Sequence, residues 1–436
     1  MVDDSARVLA PLSGVTGALS VPGDKSISHR ALLFAAVSEG TSEIIGLSSG
    51  DDVQSTRKIV ETLGIHVEED ERRVRVHGRG WRGIDREPEA EALTLDCGNS
   101  GTTARLLLGV LAGRRGVFRL IGDTSLSSRP MGRVVRPLRA MGAQIEGGDG
   151  LPLVVHGRSL AGGSWRPEVP SAQVKSCLLL ASLQASGKSA VHEERPTRDH
   201  SERMLIAAGA PIEEIDEGQG WNVVGGAKPL RSMRWRVPGD PSSAAYAVAL
   251  ALCLPESRVR VQDVSVNPTR LGFFSLLRRM GARVEWTVEQ SVSEPVGTIE
   301  ASSSHLKGLS IGRDEVTGAI DEIPLLAVVA TQAQGSTVIR GAEELRKKES
   351  DRIRTTVELL RRMGAEVEEF DDGLSLTGPQ VLAGGSMDAR HDHRVAMCTK
   401  VAASLARAPS TLTGHHWASV SYPAFYDDID RLGDVS

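Results

Sequence analysis

Aromatic side chains are scarce in this chain: six Phe, six Trp and three Tyr, 3% of 436 residues. That leaves little from which to build the stacking surfaces that hold unpaired bases. Charge gives a nucleic-acid partner no help either, since 51 Lys and Arg face 56 Asp and Glu for a net −5. No apolar run reaches the ~18 uncharged residues of a membrane span. The acidic start, Met1-Val2-Asp3-Asp4-Ser5, lacks the basic and apolar regions of a signal peptide. The expectation is a cytoplasmic protein with no nucleic-acid and no membrane partner. Cysteine is sparse too. Cys97, Cys177, Cys253 and Cys398 show no paired spacing, and three lie in or beside apolar helical stretches. Buried thiols are expected rather than disulfides or metal ligands.

What is present is a unit written six times. Each copy opens with a turn rich in Gly, Ser, Asp or Pro and enters an Ala/Leu-rich helix. The openings are Val21-Pro22-Gly23-Asp24, Leu95-Asp96-Cys97-Gly98-Asn99, Val169-Pro170-Ser171-Ala172-Gln173, Val237-Pro238-Gly239-Asp240, Ile320-Asp321-Glu322 and Asp388-Ala389-Arg390-His391. A second helix in each copy ends in glycine: Gly64, Gly142, Gly209, Gly281, Gly364 and Gly433. A period of roughly 70 residues is too long for a helical solenoid and suits a small βαβ-type unit, so the expected fold class is α/β (α+β).

Val-Pro-Gly-Asp recurs verbatim at 21–24 and 237–240, which marks units one to three and four to six as related halves. The last unit lacks its final strand, and Arg7-Val8-Leu9-Ala10-Pro11 could supply it. The expected division is then 1–20 with 238–436 in one domain and an inserted domain over 21–237, crossed near 20 and 237, with the active site in a cleft that closes on ligand. A single cut near the middle is the simpler alternative.

The chemistry sits at the helix openings. In Asp24-Lys25-Ser26-Ile27-Ser28-His29-Arg30, two cations and a hydroxyl crowd a helix N-terminus, whose unpaired N–H groups suit phosphate or carboxylate. Plain helix capping by Asp24 or Ser26 explains the same residues. Gly98-Asn99-Ser100-Gly101-Thr102-Thr103 is a small-residue turn that lets an anion approach the backbone, but it has neither Walker A nor dinucleotide-binding spacing. Ser127-Ser128-Arg129-Pro130, Ser171-Ala172-Gln173-Val174-Lys175-Ser176 and Arg198-Asp199-His200 add further polar stations. In the second half, Asp321-Glu322 could orient a hydroxyl or take its proton. The run Arg346-Lys347-Lys348-Glu349-Ser350-Asp351-Arg352 reads equally as a solvated face. His391-x-His393 stands near no Cys or carboxylate cluster at a ligand spacing, so no metal is expected.

Together, Asp24 to Arg30, Gly98 to Thr102, Ser128-Arg129-Pro130-Met131-Gly132, Lys348-Glu349-Ser350-Asp351-Arg352 and Asp392-His393-Arg394 resemble the enolpyruvyl transferase family. Within it, they resemble the 5-enolpyruvylshikimate-3-phosphate synthase branch, over nearly the whole chain. The resemblance implies two domains of three βαβαββ repeats each in pseudo-threefold arrangement, small-molecule substrates, no cofactor and a monomer. It implies transfer of the enolpyruvyl group of phosphoenolpyruvate to the 5-hydroxyl of shikimate 3-phosphate, with release of phosphate.

Residue by residue, the resemblance implies that Lys25, Ser26, Arg30, Ser171, Ala172, Gln173, Arg198, Asp321 and Lys348 hold shikimate 3-phosphate. Lys25, Gly101, Arg129, Gln173, Arg352 and Arg394 are implied for phosphoenolpyruvate. Lys25, Asp321, Lys348 and Glu349 are the implied catalytic set, Asp321 facing the 5-hydroxyl and Glu349 moving a proton at the methylene. Two features qualify the match. The segment Ser419-Val420-Ser421-Tyr422-Pro423 lacks the Lys that many members carry before an aromatic-Pro pair, and Gly101 stands where glyphosate-insensitive members carry Ala, so sensitivity is expected. The alternatives are the sister transferase acting on UDP-N-acetylglucosamine and a non-catalytic anion-binding relative. The sister lacks support because Gly122-Asp123-Thr124-Ser125 contains no Cys and Lys25 is followed by Ser26 rather than Asn.

Overall fold

The computed structural model describes residues 5–70, 73–87, 91–215, 219–291 and 293–433; the acidic opening, Met1 to Asp4, lies outside them. The described strands gather into six small sheets of one pattern. In the second repeat, Leu93–Asp96 and Val117–Ile121 run parallel, joined through the helix Gly101–Leu111. The helix Gly132–Ala140 then leads to the antiparallel pair Gln144–Glu146 and Leu153–His156, and the later strand lies beside Val117–Ile121. A parallel pair needs a crossover, whereas an antiparallel pair needs only a turn. The third and fifth repeats follow the same plan, built on Lys188–His192 and Gly335–Ile339.

The sixth sheet is completed from the far end of the chain. Arg7–Leu9 pairs antiparallel with Ser410–Thr413, Leu9 opposite Ser410, which is the place expected for the N-terminal stretch. The first strands of repeats one and four are exchanged, which the repeats alone did not reveal. Thr16–Ser20 precedes the first helix yet runs parallel to Arg258–Ser265. Leu230–Arg231 and Arg234–Arg236 precede the helix Pro241–Cys253 yet run parallel to Ser38–Ile45. The chain divides into two compact units, Met1–Pro22 with Pro238–Ser436, and Gly23–Val237. Each has its own hydrophobic core.

The recurring Val-Pro-Gly-Asp has a mechanical explanation. A Cβ on Gly23 would lie 1.9 Å from the Gly46 carbonyl oxygen, and one on Gly239 would lie 2.8 Å from a Val21 methyl. The Asp that follows caps the helix: Asp24 Oδ1 accepts from the Ile27 N–H at 3.0 Å and Asp240 Oδ1 from the Ser242 N–H at 2.8 Å. At the other ends of the second helices, Gly64, Gly142, Gly209, Gly281 and Gly364 adopt φ between +83° and +98°, the left-handed stop that glycine takes without penalty. The opening helices are interior. Residues 241–252 are all buried, as are 27–36, which is why they read as Ala/Leu-rich rather than amphipathic.

Candidate active site

In the unit Gly23–Val237, the three opening helices are tied together over their first two turns by polar side chains. Arg30 is buried and donates through Nε to Ser201 Oγ (2.7 Å), through Nη1 to the Ser26 carbonyl (2.8 Å) and through Nη2 to Ser176 Oγ (2.8 Å). Gln173 gives its amide to Thr102 Oγ1 at 2.8 Å and accepts from Arg105 Nη1 at 2.5 Å. His29 Nδ1 meets Thr56 Oγ1 at 2.7 Å, and Thr56 Oγ1 meets Thr103 Oγ1 at 2.6 Å. The helices Lys25–Ala36, Gly101–Leu111 and Ala172–Gln184 are therefore bonded in a ring.

Around that ring stand the predicted cations. Lys25 Nζ donates to Asp52 Oδ2 at 2.8 Å. Arg129, itself buried, reaches back from its own loop to Asn99 Oδ1 (2.7 Å) and Ser125 Oγ (3.2 Å). Asn99 in turn donates to Asp123 Oδ2 at 2.6 Å, so the small-residue turn and the Arg129 loop are locked together. A Cβ on Gly101 would come within 3.1 Å of Arg105 Nη1 and 3.4 Å of Arg129 Nη1. Gly101 thus keeps open the space over which these two guanidinium groups extend. Ser171 is the N-cap of Ala172–Gln184, but its hydroxyl makes no capping bond. Arg198 is half-buried, just before the helix His200–Ala207.

The other unit gathers its predicted residues around Arg352. That guanidinium is 2% exposed and donates to Asp392 Oδ2 (2.9 Å) and Oδ1 (3.2 Å), to Glu349 Oε2 (2.6 Å) and to Asp321 Oδ1 (3.5 Å). Lys348 Nζ donates to the same Asp321 oxygen at 3.2 Å. Arg394 lies 4.0 Å from Asp321 Oδ2 and donates to Glu322 Oε1 at 3.2 Å. Ser242 also donates to Glu322 Oε1, and Arg270 joins Ser242 (3.0 Å) to Asp240 (2.7 Å). The charge run splits by partner: Arg346 pairs with Asp351 and Glu369 and Lys347 with Glu344, while the half-buried Lys348 and Glu349 join the cluster around the buried Arg352.

Burial and charge pull against each other at these groups. Burial lowers the Arg352 value, but Asp392 and Glu349 outweigh it and hold the guanidinium above the ordinary arginine range. Arg394 behaves alike: burial opposes its charge, while Asp321, Tyr246, Glu322 and Asp240 favour it. Tyr246 is raised well above the ordinary phenol value, chiefly by burial. Both arginines are permanent cations for any anionic ligand. In the first unit, burial and then Lys25 and Arg30 push His29 well below the usual histidine value, so it stays neutral.

Three described side chains come close enough to share a cation: His66, Glu68 and His77, whose ligand atoms lie within 4.8 Å of one another on a largely exposed strand pair. The carboxylates of Asp52, Asp321, Glu322, Glu349 and Asp392 are instead engaged by Arg or Lys. All four cysteines carry free thiols, buried except for the half-buried Cys253, and burial pushes Cys97 up to about 12. Among the described residues no helix is long and apolar enough to cross a membrane.

Every candidate site residue named from the sequence is described, and most converge on one of the two clusters. Several partners went unassigned. Asp52 and Ser201 have no local motif, and Ser176 closes a quoted polar stretch but had no assigned partner. Arg105 carried a usable signal, lying four residues from Gly101 on one helical face. Asp392 sat inside a quoted motif but reads in the structure as the N-cap of His393–Ser404, with Oδ1 accepting from the Arg394 N–H at 2.9 Å.

Comparison with known proteins gives a consistent result. The profile of the EPSP synthase (3-phosphoshikimate 1-carboxyvinyltransferase) family matches residues 9–429. A 3-phosphoshikimate 1-carboxyvinyltransferase of Synechococcus sp. (strain JA-3-3Ab) is 48% identical, over 97% of this chain and 96% of its own. One from Thermus thermophilus is 45% identical over 97% and 98%. Among solved structures, an EPSP synthase from Acinetobacter baumannii is 38% identical with a TM-score of 0.85, covering 98% of each chain. The enolpyruvyl transferase NikO from Streptomyces tendae, 20% identical, shares the fold at a TM-score of 0.80 over 98% and 97%.

Proposed function

We propose that this chain, which belongs to the EPSP synthase family, transfers the enolpyruvyl group of phosphoenolpyruvate to the 5-hydroxyl of shikimate 3-phosphate. The observation that carries the reading is the cluster in which Asp321 and Glu349 share Arg352 beside Lys348 and Arg394. The reaction needs a proton delivered to C3 of phosphoenolpyruvate and a proton taken from the 5-hydroxyl as its oxygen bonds C2. It then needs loss of phosphate from C2 as the methyl group returns its proton. Placed acids, bases and anion clamps meet those demands.

Asp321 suits the hydroxyl, with the Lys348 ammonium at 3.2 Å to stabilise its charge. Glu349 is our choice for the proton at C3, and Lys25 is a further group in proton transfer. Arg352 and Arg394 suit the phosphoenolpyruvate carboxylate, since a planar fork binds two oxygens together. A substrate carboxylate that drew Arg352 away from Glu349 would favour the protonated form of Glu349, the form that has a proton to give. Lys25, Gly101 and Arg129 suit the phosphoenolpyruvate phosphate, with Gln173 beside it. Ser26, Arg30, Ser171, Ala172, Gln173 and Arg198 suit shikimate 3-phosphate. The free thiols suit a reducing compartment, and we place the protein in the cytoplasm as a monomer.

The role of Glu349 is tested by Glu349→Gln, which keeps the size and removes the ionisable group. Binding of shikimate 3-phosphate should stay within about twofold, while kcat falls by ~10²–10⁴, the usual span for a general acid–base group. A normal kcat would remove Glu349 from the proton-transfer step.

A further inference from the structure

Glu193 is used by no step above, yet it stands where the segment carrying Arg198 leaves its strand. The strand Lys188–His192 ends one residue earlier and the helix His200–Ala207 begins seven residues later. Glu193 Oε1 accepts from both the backbone N–H (3.0 Å) and the hydroxyl (2.7 Å) of Thr197, the residue before Arg198. Its other oxygen, Oε2, takes the Lys175 ammonium at 2.8 Å and the Trp221 indole N–H at 3.4 Å. Lys175 is 1% exposed and also meets Glu202 Oε1 at 2.8 Å. The far end of the segment is tied by the neighbouring residue: Ser201 Oγ donates to Ser176 Oγ at 2.6 Å, and both hydroxyls accept from Arg30. Consecutive residues of one interior helix, Lys175 and Ser176, therefore grip the two ends of the segment between which Arg198 stands.

We propose that Glu193 is a positioning residue for the acceptor site: anchored by Lys175, it bonds Thr197 and so fixes the backbone from which Arg198 reaches the phosphate of shikimate 3-phosphate. The inference rests on the acceptor assignment made above. A buried ammonium suits this task because it offers three donors around a point charge and can serve two carboxylates at once. The pairing also leaves a usable variant. Removing Glu193 leaves Lys175 paired with Glu202, a balanced buried pair rather than an orphaned charge.

The test is a double-mutant cycle of Glu193→Ala and Arg198→Ala, read as shikimate 3-phosphate affinity by calorimetry and as KM for each substrate. In the otherwise unchanged chain, Glu193→Ala should weaken shikimate 3-phosphate binding about tenfold, the scale of one lost charge-assisted contact. KM for phosphoenolpyruvate should move less than about twofold. In the Arg198→Ala background the same change should cost less than about twofold, because the residue it positions is gone. Thr197→Val, a milder cut at the same anchor, should show the same dependence on background at smaller size. A tenfold loss in both backgrounds, or no loss in the first, overturns the proposal. If the unsubstituted chain does not bind shikimate 3-phosphate at all, the acceptor assignment itself falls, and this inference with it.

Discussion

Replacing Asp392 by Asn changes two atoms' chemistry and almost no volume, so its cost can be read from the donors that face the carboxylate. Oδ2 receives Arg352 Nε (2.9 Å) and Ser350 Oγ (2.9 Å); Oδ1 receives Arg352 Nη2 (3.2 Å) and the Arg394 N–H (2.9 Å). An amide can present its oxygen to only one of these pairs. Whichever way it turns, its NH2 confronts two donors, and one side of the buried Arg352 loses its counter-charge. Breaking one partner of a buried ion pair costs about 3–5 kcal/mol. Arg352 keeps Glu349 and Asp321, so the lower end, ~3 kcal/mol, is expected. For a cooperative unit of this size that is a fall in Tm of roughly 6–12 °C. KM for phosphoenolpyruvate should rise about tenfold or more, the loss of one well-placed charged contact. Ser350→Ala, which removes one neutral donor to the same carboxylate, should cost only about 1 kcal/mol. Thermal unfolding followed by circular dichroism, with KM for both substrates, checks each figure. A Tm within about 2 °C of the unsubstituted chain and an unchanged KM would refute the reasoning.

Two other perturbations follow from the geometry. Gly101→Ala places a methyl group 3.1 Å from Arg105 Nη1 and 3.4 Å from Arg129 Nη1; the fold should survive, and inhibition by glyphosate should weaken about tenfold or more, a difference of ~1.4 kcal/mol, with unchanged inhibition counting against the steric argument. His29 is neutral in the folded chain, its value pushed well below the ordinary 6.5, so below that pH the unfolded chain takes up a proton the folded chain refuses. Stability supported by His29 is present above pH 6.5 and drains away as pH falls, by up to about 1.4 kcal/mol per unit. In His29→Asn that component should vanish, which denaturant midpoints at pH 5 and pH 7.5 would show; parallel pH curves for the two proteins would exclude it.

What could be read from the sequence was whatever lies close along the chain. A turn glycine, a capping Asp two or three residues before the N–H it satisfies and a glycine ending a helix are local signals, so Gly23, Asp24, Gly239, Asp240 and the five left-handed glycines were visible. The placement of Arg7–Leu9 was legible by subtraction, because five complete copies define what the sixth needs. The exchange of Thr16–Ser20 and Arg234–Arg236 between sheets was not, since each strand pairs with residues some two hundred positions away and its own sequence is that of any short edge strand. The same limit applies to the clusters. Arg352, Glu349 and Lys348 stood out as a dense charge run and Asp321-Glu322 as a carboxylate pair, but Arg270 and Asp52 take their places only through partners brought by folding. Arg346 and Lys347 belong to the same run and face elsewhere, because helical and turn geometry sends neighbouring side chains in different directions.

The central claim is the identity of the acceptor, and phosphate release from phosphoenolpyruvate tests it most directly. The chain is incubated with phosphoenolpyruvate and shikimate 3-phosphate, and in parallel with phosphoenolpyruvate and UDP-N-acetylglucosamine. The account predicts release of inorganic phosphate with shikimate 3-phosphate alone. Release with the sugar nucleotide alone, or none with either in a folded sample that still binds ligand, would contradict it.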